Sequence, residues 1–175
     1  MIDAIDPFNN KKFHSFASGS IEDVDDAVNA ARKAFDTGPW PEMSGQKRAE
    51  YLFKIADALE AKSEELALLE VRDNGKPLPE AQWDIGDTIS CFRYYAEMAK
   101  TLDGRHQEVP VKMDGFTSRA VREPIGVAAA ITPWNFPSSM ITRKCAPALA
   151  VGCPVVIKPA SQTPYSALAL AVLAE

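Results

Sequence analysis

Two short apolar runs near the end of the chain, each followed by a helix-like segment, constrain the fold more than any other feature. The runs cover residues 127–132 and 155–158, and helical patterns cover 139–150 and 164 onward. Strands that alternate with helices in this order favour a parallel, Rossmann-like sheet of the nucleotide-binding kind. We therefore predict an α/β fold in which this sheet begins at about residue 124.

Upstream of this sheet the sequence pattern is mainly helical. Ser20 and Asp23 have the spacing of a capping box at the start of a helix. Two short β-prone segments, 108–111 and 116–122, flank the turn-forming Asp114-Gly115 and predict a β-hairpin. Apolar residues at helical spacing predict helices over 20–36, over 45–74 with a site for a kink at 62–63, and over 79–102.

Charge and hydropathy limit the partners of the chain. The net charge is −5, but residues 124–175 contain three basic residues and one acidic residue, so residues 1–123 carry −7. A weakly basic, apolar second part suits a buried anionic cofactor better than DNA, which requires a broad basic face. No apolar run reaches the roughly 18 residues that cross a bilayer, and the acidic start lacks a signal-peptide pattern. We expect a cytoplasmic protein with neither nucleic-acid nor membrane partners.

Cysteine and histidine are too scattered to predict a disulfide framework, a zinc site or a histidine-based triad. Cys91, Cys145 and Cys153 have neither the number nor the spacing for these, and His14 and His106 lie far apart. We expect three reduced thiols.

The loop between the first apolar run and its helix reads Pro133-Trp134-Asn135-Phe136-Pro137. A proline on each side fixes the backbone, so the Asn135 carboxamide is held where a strand gives way to a helix. Such an amide can donate a hydrogen bond to an oxyanion. A simple turn residue is the alternative interpretation of an asparagine beside proline.

Five motifs occur in a characteristic order: Asp73-Asn74-Gly75-Lys76-Pro77, Glu123-Pro124-Ile125-Gly126-Val127, the loop 133–137, Arg143-Lys144 with the segment 146–150, and the segment 158–164. Together they resemble the NAD(P)-dependent aldehyde dehydrogenase superfamily. The resemblance implies oxidation of an aldehyde to a carboxylic acid with NAD or NADP through a cysteine thiohemiacetal.

In that family the nucleophilic cysteine and the general-base glutamate lie beyond the position matching Glu175. The last helical pattern also reaches Glu175 without a stop signal. We therefore expect the N-terminal part of an oxidoreductase, inactive by itself. A complete, non-enzymatic module that binds a nucleotide or a partner through its apolar second half is the alternative, and the downstream reading frame distinguishes the two.

The resemblance also implies three parts. Residues 1–103 would be the helical part of the coenzyme-binding domain, and residues 124–175 the start of the Rossmann-like sheet. Residues 104–123 would be a projecting hairpin that contributes to a homodimer or homotetramer.

The resemblance assigns roles to single residues of the second half. Asn135 would hold the oxyanion, and Lys144 would belong to a proton relay. Lys158 would bind the adenosine ribose, while Ser161 stands where many NAD-preferring members have a glutamate, so NADP use is open. The nicotinamide side of the cofactor channel would be lined by Ile131, Thr132, Pro133 and Trp134.

Substrate and cation roles follow from the same resemblance. Arg143 matches semialdehyde-oxidising members, in which an arginine grips a substrate carboxylate. Asp84 and Asp87 share a helix face and match betaine- and amino-aldehyde members, in which acidic residues attract an amino group. These features are mixed and leave the substrate class open. Asp73 would help to hold a monovalent cation, with a turn or capping role as the alternative.

Overall fold

The computed structural model describes residues 1–174. Along that part of the chain the order is β1 (Ile2–Asp6), β2 (Lys11–Phe16), α1 (Ile21–Asp36), α2 (Gly45–Ala61), α3 (Ser63–Asn74), α4 (Leu78–Ala99), β3 (His106–Val109), β4 (Ser118–Val121), β5 (Ala128–Ile131), α5 (Pro137–Ala150), β6 (Val155–Lys158) and α6 (Tyr165–Leu173). The strands form three two-stranded sheets. The predicted α/β class is confirmed. The last predicted helix extended to Glu175, which lies outside the described residues.

The first sheet is a β-hairpin that we did not predict from the sequence. β1 and β2 pair antiparallel. Their turn is closed by side chains, since the Asp6 carboxylate accepts a hydrogen bond from Phe8 N at 2.9 Å and Asn9 Oδ1 accepts one from Lys11 N at 2.9 Å. Short Asp and Asn side chains favour turns because they bond to the backbone two residues on. The turn-forming Asp and Asn residues within 6–10 are the sequence feature that could have predicted this hairpin.

The predicted helices are present, with small differences in their bounds. α1 begins after Ser20, whose hydroxyl accepts from Asp23 N at 3.2 Å in a complete capping box. The segment 45–74 divides into α2 and α3 at Lys62, where the sequence indicated a kink. α4 ends at Ala99, before the predicted end at residue 102.

The early end of α4 has a physical cause. The chain turns so that both carboxylate oxygens of Asp103 accept from Gly45 N, at 2.7 and 2.9 Å. Asp103 thereby caps the N-terminus of α2 with a negative charge, which the helix dipole favours. Gly45 is required here, because a Cβ at this position would collide with the Ala99 carbonyl oxygen.

The core lies where α4 packs against α2 and α5. Its buried apolar side chains include Leu52 and Leu59 of α2, Ile85 and Phe92 of α4, and Ile141 of α5. Burying one side chain of this size contributes about 1.5–3 kcal/mol to the stability of the folded state. This packing fixes α5, and with it the loop before α5, against the helical layer.

The predicted hairpin in the middle of the chain is confirmed with shifted strands. β3 and β4 pair antiparallel from His106↔Val121 to Val109↔Ser118, whereas the sequence indicated 108–111 and 116–122. Every residue of both strands is exposed. Their alternation is therefore not fixed by a buried face, which explains why hydrophobic pattern alone misplaced the bounds.

The third sheet is the parallel pair predicted from the alternation of strands and helices. β5 and β6 pair in parallel from Ala128↔Val155 to Ile131↔Lys158, with α5 as the crossover. The pairing continues past the strand end, where Thr132 N donates to the Lys158 carbonyl at 3.1 Å. Within residues 1–174 no helix has the length and apolar character that a membrane crossing requires.

Candidate active site

The carboxyl ends of β5 and β6 form the edge at which parallel sheets of this kind bind ligands. Ile131 and Lys158, which end the two strands, are paired directly. Ile131 is 73% exposed, and Lys158 is exposed and donates from Nζ to the Pro159 carbonyl at 2.6 Å. The edge therefore presents an apolar surface beside an ammonium group.

The residues predicted to line the cofactor channel continue from this edge. Thr132 is 5% exposed, and its Oγ1 has no hydrogen-bond partner within residues 1–174. Pro133 and Trp134 are exposed in the loop that follows. Ser161 is exposed in the loop after β6. The structure thus brings Ile131–Trp134 and Lys158 to one edge, with Ser161 in the loop that leaves it.

Asn135 is exposed in the loop before α5, and its neighbours are held by other parts of the fold. The Trp134 carbonyl accepts from Asn74 Nδ2 at 2.7 Å and, more weakly, from Thr163 Oγ1 at 3.5 Å. On the other side, Lys76 Nζ lies 4.8 Å from the centroid of the Phe136 ring. The carboxamide predicted to bind an oxyanion is therefore open to a ligand on a restrained backbone.

A buried ionic cluster, which we did not predict from the sequence, supports this loop. Lys76 Nζ lies 2.9 Å from Glu70 Oε1 and also pairs with Asp84, and the three side chains are at most 9% exposed. The Ser138 hydroxyl, in the first turn of α5, donates to Glu70 Oε2, which also accepts from Ser166 Oγ at 3.3 Å. The cluster joins α3, α4, α5 and α6 beneath the loop.

The spacing of its acidic residues along the two helices could have predicted this cluster. Glu70 follows Leu66 by four positions and Asp84 follows Ala81 by three, so each carboxylate lies on a buried helix face. A buried carboxylate requires a partner, and Lys76 in the turn between the two helices is close in sequence to both.

Asp73 caps the N-terminus of α6. Its Oδ2 accepts from Tyr165 N at 2.9 Å and from Ser166 N at 3.4 Å. Burial raises the pKa of Asp73 to about 6, and nearby Glu70 acts in the same direction, against the two hydrogen bonds. Oδ1 is buried with no partner within residues 1–174.

The three residues predicted to bind substrate are divided between two places. Arg143 Nη2 lies 3.0 Å from Asp87 Oδ2 at the surface, with side chains 61% and 39% exposed. The hydrogen bond to Asp87 raises the pKa of Arg143. Asp84 is buried against Lys76, and Lys144 is exposed beside Arg143. Of the three residues, Arg143 and Asp87 are paired with each other, whereas Asp84 is paired with Lys76.

The thiols are poor nucleophiles in this structure. Cys145 and Cys153 are buried, and burial raises the pKa of Cys145 to about 11. Burial and the Asp87 carboxylate raise the pKa of the half-buried Cys91. The described residues contain no group of three or more His, Cys, Asp or Glu side chains placed to hold a metal ion.

Comparison with known proteins agrees with this α/β architecture. All 175 residues match the aldehyde dehydrogenase family. The chain is 45% identical over 167 residues to aminoaldehyde dehydrogenase 2 of Solanum lycopersicum, which covers 95% of this chain and 33% of that protein. It superimposes with a TM-score of 0.94 on betaine aldehyde dehydrogenase from Staphylococcus aureus in complex with NAD⁺, at 35% identity over 98% of this chain and 34% of that one. An E. coli NADP-dependent enzyme gives the same TM-score at 40% identity, covering 99% of this chain and 35% of the other.

The chain therefore belongs to the aldehyde dehydrogenase family, as its motifs indicated. It spans about a third of the length of the relatives it matches.

Proposed function

We propose that this chain supplies the oxyanion donor and one side of the coenzyme site for the oxidation of an aldehyde to a carboxylic acid with NAD or NADP. The observation that carries the proposal is the exposed Asn135 on a restrained loop, directly after the Ile131–Lys158 edge. Relatives named aminoaldehyde and betaine aldehyde dehydrogenases support the reaction class.

The role of Asn135 follows from its chemistry. When a nucleophile adds to an aldehyde carbon, the carbonyl oxygen gains negative charge. A neutral amide donor that is already oriented stabilises this oxygen more in the transition state than in the ground state. Asn135 offers such a donor without a competing carboxylate in its loop.

The parallel edge fits a nicotinamide coenzyme. The exposed Ile131 and the buried Thr132 hydroxyl, which has no hydrogen-bond partner among residues 1–174, would lie along the cofactor channel with Pro133 and Trp134. Lys158 would bind the ribose hydroxyls, and the uncharged Ser161 would tolerate a 2′-phosphate. When bound, the coenzyme would accept the hydride that leaves the aldehyde carbon.

The substrate would contact the ion pair between Arg143 and Asp87. Because Arg143 and Asp87 already neutralise each other, their pair favours a substrate with both charges, or an exchange of partners, over a simple cation or anion. Asp84 is paired with Lys76 and buried, so the structure favours Asp87 as the acidic substrate group. The exposed Lys144 would serve the proton relay.

Two further roles remain part of the proposal. Asp73 Oδ1, which is buried without a hydrogen-bond partner in the described part of the chain, fits a monovalent cation, and the cation would offset the unfavourable burial of the carboxylate charge. The fully exposed β3–β4 hairpin would contribute to a homodimer or homotetramer. We expect the cytoplasm as the compartment.

The test of the proposal is Asn135→Ala in the protein encoded by the complete reading frame containing this chain. We expect kcat to fall by roughly 10²–10³-fold with little change in coenzyme affinity, since the lost bond forms mainly in the transition state. Asn29→Ala, an exposed position on α1, is the matched control and should retain full activity. A kcat within about threefold of the parent would reduce Asn135 to a turn residue.

A further inference from the structure

The turn between α3 and α4 contacts both neighbours of Asn135. Asn74 Nδ2 donates to the Trp134 carbonyl at 2.7 Å, and Lys76 Nζ lies over the Phe136 ring. The turn comes from residues far away in sequence, since 60 positions separate Asn74 from Trp134. Asn135 itself lies between these two held residues.

The turn is well suited to hold a loop because it is itself fixed. Gly75 has φ +84°, the left-handed region that favours glycine, and its N–H donates to the Val71 carbonyl at 2.8 Å. A Cβ on Gly75 would lie 2.5 Å from Pro7 Cγ, so the N-terminal hairpin packs closely against it. Asp73 before the turn is bonded to α6, and Lys76 within the turn is bonded to the buried carboxylates.

The bond from Asn74 acts on the peptide unit that carries Asn135. The Trp134 carbonyl, the Asn135 N–H and the Asn135 Cα belong to one planar group, so fixing the oxygen also restrains the position of the Asn135 Cα. Three rotatable bonds, N–Cα, Cα–Cβ and Cβ–Cγ, then separate this plane from the side-chain amide.

We propose that Asn74 is a positioning residue for the reaction. Through the Trp134 carbonyl, it holds the Asn135 amide in the orientation that meets the oxyanion. This inference rests on the proposed role of Asn135. An asparagine is required because its amide donates without charge, whereas an ionised aspartate would turn only lone pairs toward the carbonyl.

A double-mutant cycle on the complete protein tests the inference. We expect Asn74→Ala to lower kcat about tenfold with an unchanged coenzyme KM, because loss of orientation weakens catalysis more than binding. In the Asn135→Ala background the same change should lower kcat less than twofold, since no donor remains to be positioned. Asn29→Ala is again the control. If Asn74→Ala does not fold, the isosteric Asn74→Asp replaces it at a pH at which its carboxyl is ionised.

The outcomes separate the two proposals. Full kcat in the Asn74 variant, or an equal loss in both backgrounds, overturns the positioning role and leaves the oxyanion role of Asn135 intact. An Asn135→Ala enzyme with undiminished kcat overturns the proposed function, and the positioning role falls with it.

Discussion

On this proposal, Ser161 is the residue that determines the choice between NAD and NADP. Ser161 is exposed in the loop after Lys158 and contributes a hydroxyl but no charge. A 2′-phosphate beside Lys158 would therefore meet no like charge from this position.

We predict that Ser161→Glu lowers kcat/KM for NADP while that for NAD changes little. Like charges at about 4 Å near a partly desolvated phosphate repel by on the order of 1–4 kcal/mol, which corresponds to roughly fivefold to 10³-fold. Titrations of both coenzymes on the complete protein measure the ratio. Ser90→Glu, which adds the same charge at an exposed site on α4, is the control. An unchanged ratio would show that residue 161 does not face the ribose.

At the scale of elements, local signals predicted most of the architecture. The capping box at Ser20 and the apolar run at 155–158 predicted α1 and β6. The hairpin β1–β2 was missed because the signal for it is turn chemistry at residues 6–10 rather than hydrophobic alternation. α1 also carries apolar residues at helical spacing, yet none of its residues is buried within the described chain.

The support beneath the loop was missed for another reason. Glu70, Lys76 and Asp84 look like ordinary charged residues until the helices are packed. In the structure they form one buried cluster, in which the single ammonium faces two carboxylates. Isolated buried charges are expensive, so the cluster stabilises the packing of α3 and α4 only while all its partners are present.

We predict that Lys76→Met destabilises the chain by about 3–5 kcal/mol, because it leaves two buried carboxylates without their counter-charge. Urea unfolding of residues 1–175 measures the effect. Lys62→Met removes an exposed ion pair with Glu65 and is the matched control, expected to cost less than about 1 kcal/mol. If Lys76→Met and Lys62→Met lowered the free energy of unfolding by the same amount, the result would contradict the burial of the cluster.

At the scale of the whole molecule, the candidate site is assembled from distant segments. The bond from Ser138 to Glu70 spans 68 positions, and the bond from Tyr165 to Asp73 spans 92. The motif around Asn135 could be recognised from the sequence because it is contiguous. Its supports could not, because their meaning depends on how four helices pack.

The last prediction is that residues 1–175 alone do not oxidise aldehydes. The proposed reaction needs a thiolate nucleophile. Burial raises the pKa of Cys145 to about 11, which disfavours its thiolate at neutral pH, and the same burial withholds the sulfur from a substrate. Cys153 is also buried, and the pKa of the half-buried Cys91 is raised.

The measurement is absorbance of NADH or NADPH at saturating coenzyme and aldehyde. We expect the rate with the purified chain to equal that of its Asn135→Ala variant, prepared in parallel to reveal contaminating dehydrogenase. Positioning and polarising groups without a nucleophile give no turnover, so both rates should match the protein-free blank. Steady coenzyme reduction by the parent chain that is lost in the variant would mean that one of its three thiols is activated after all, against the burial seen in the structure.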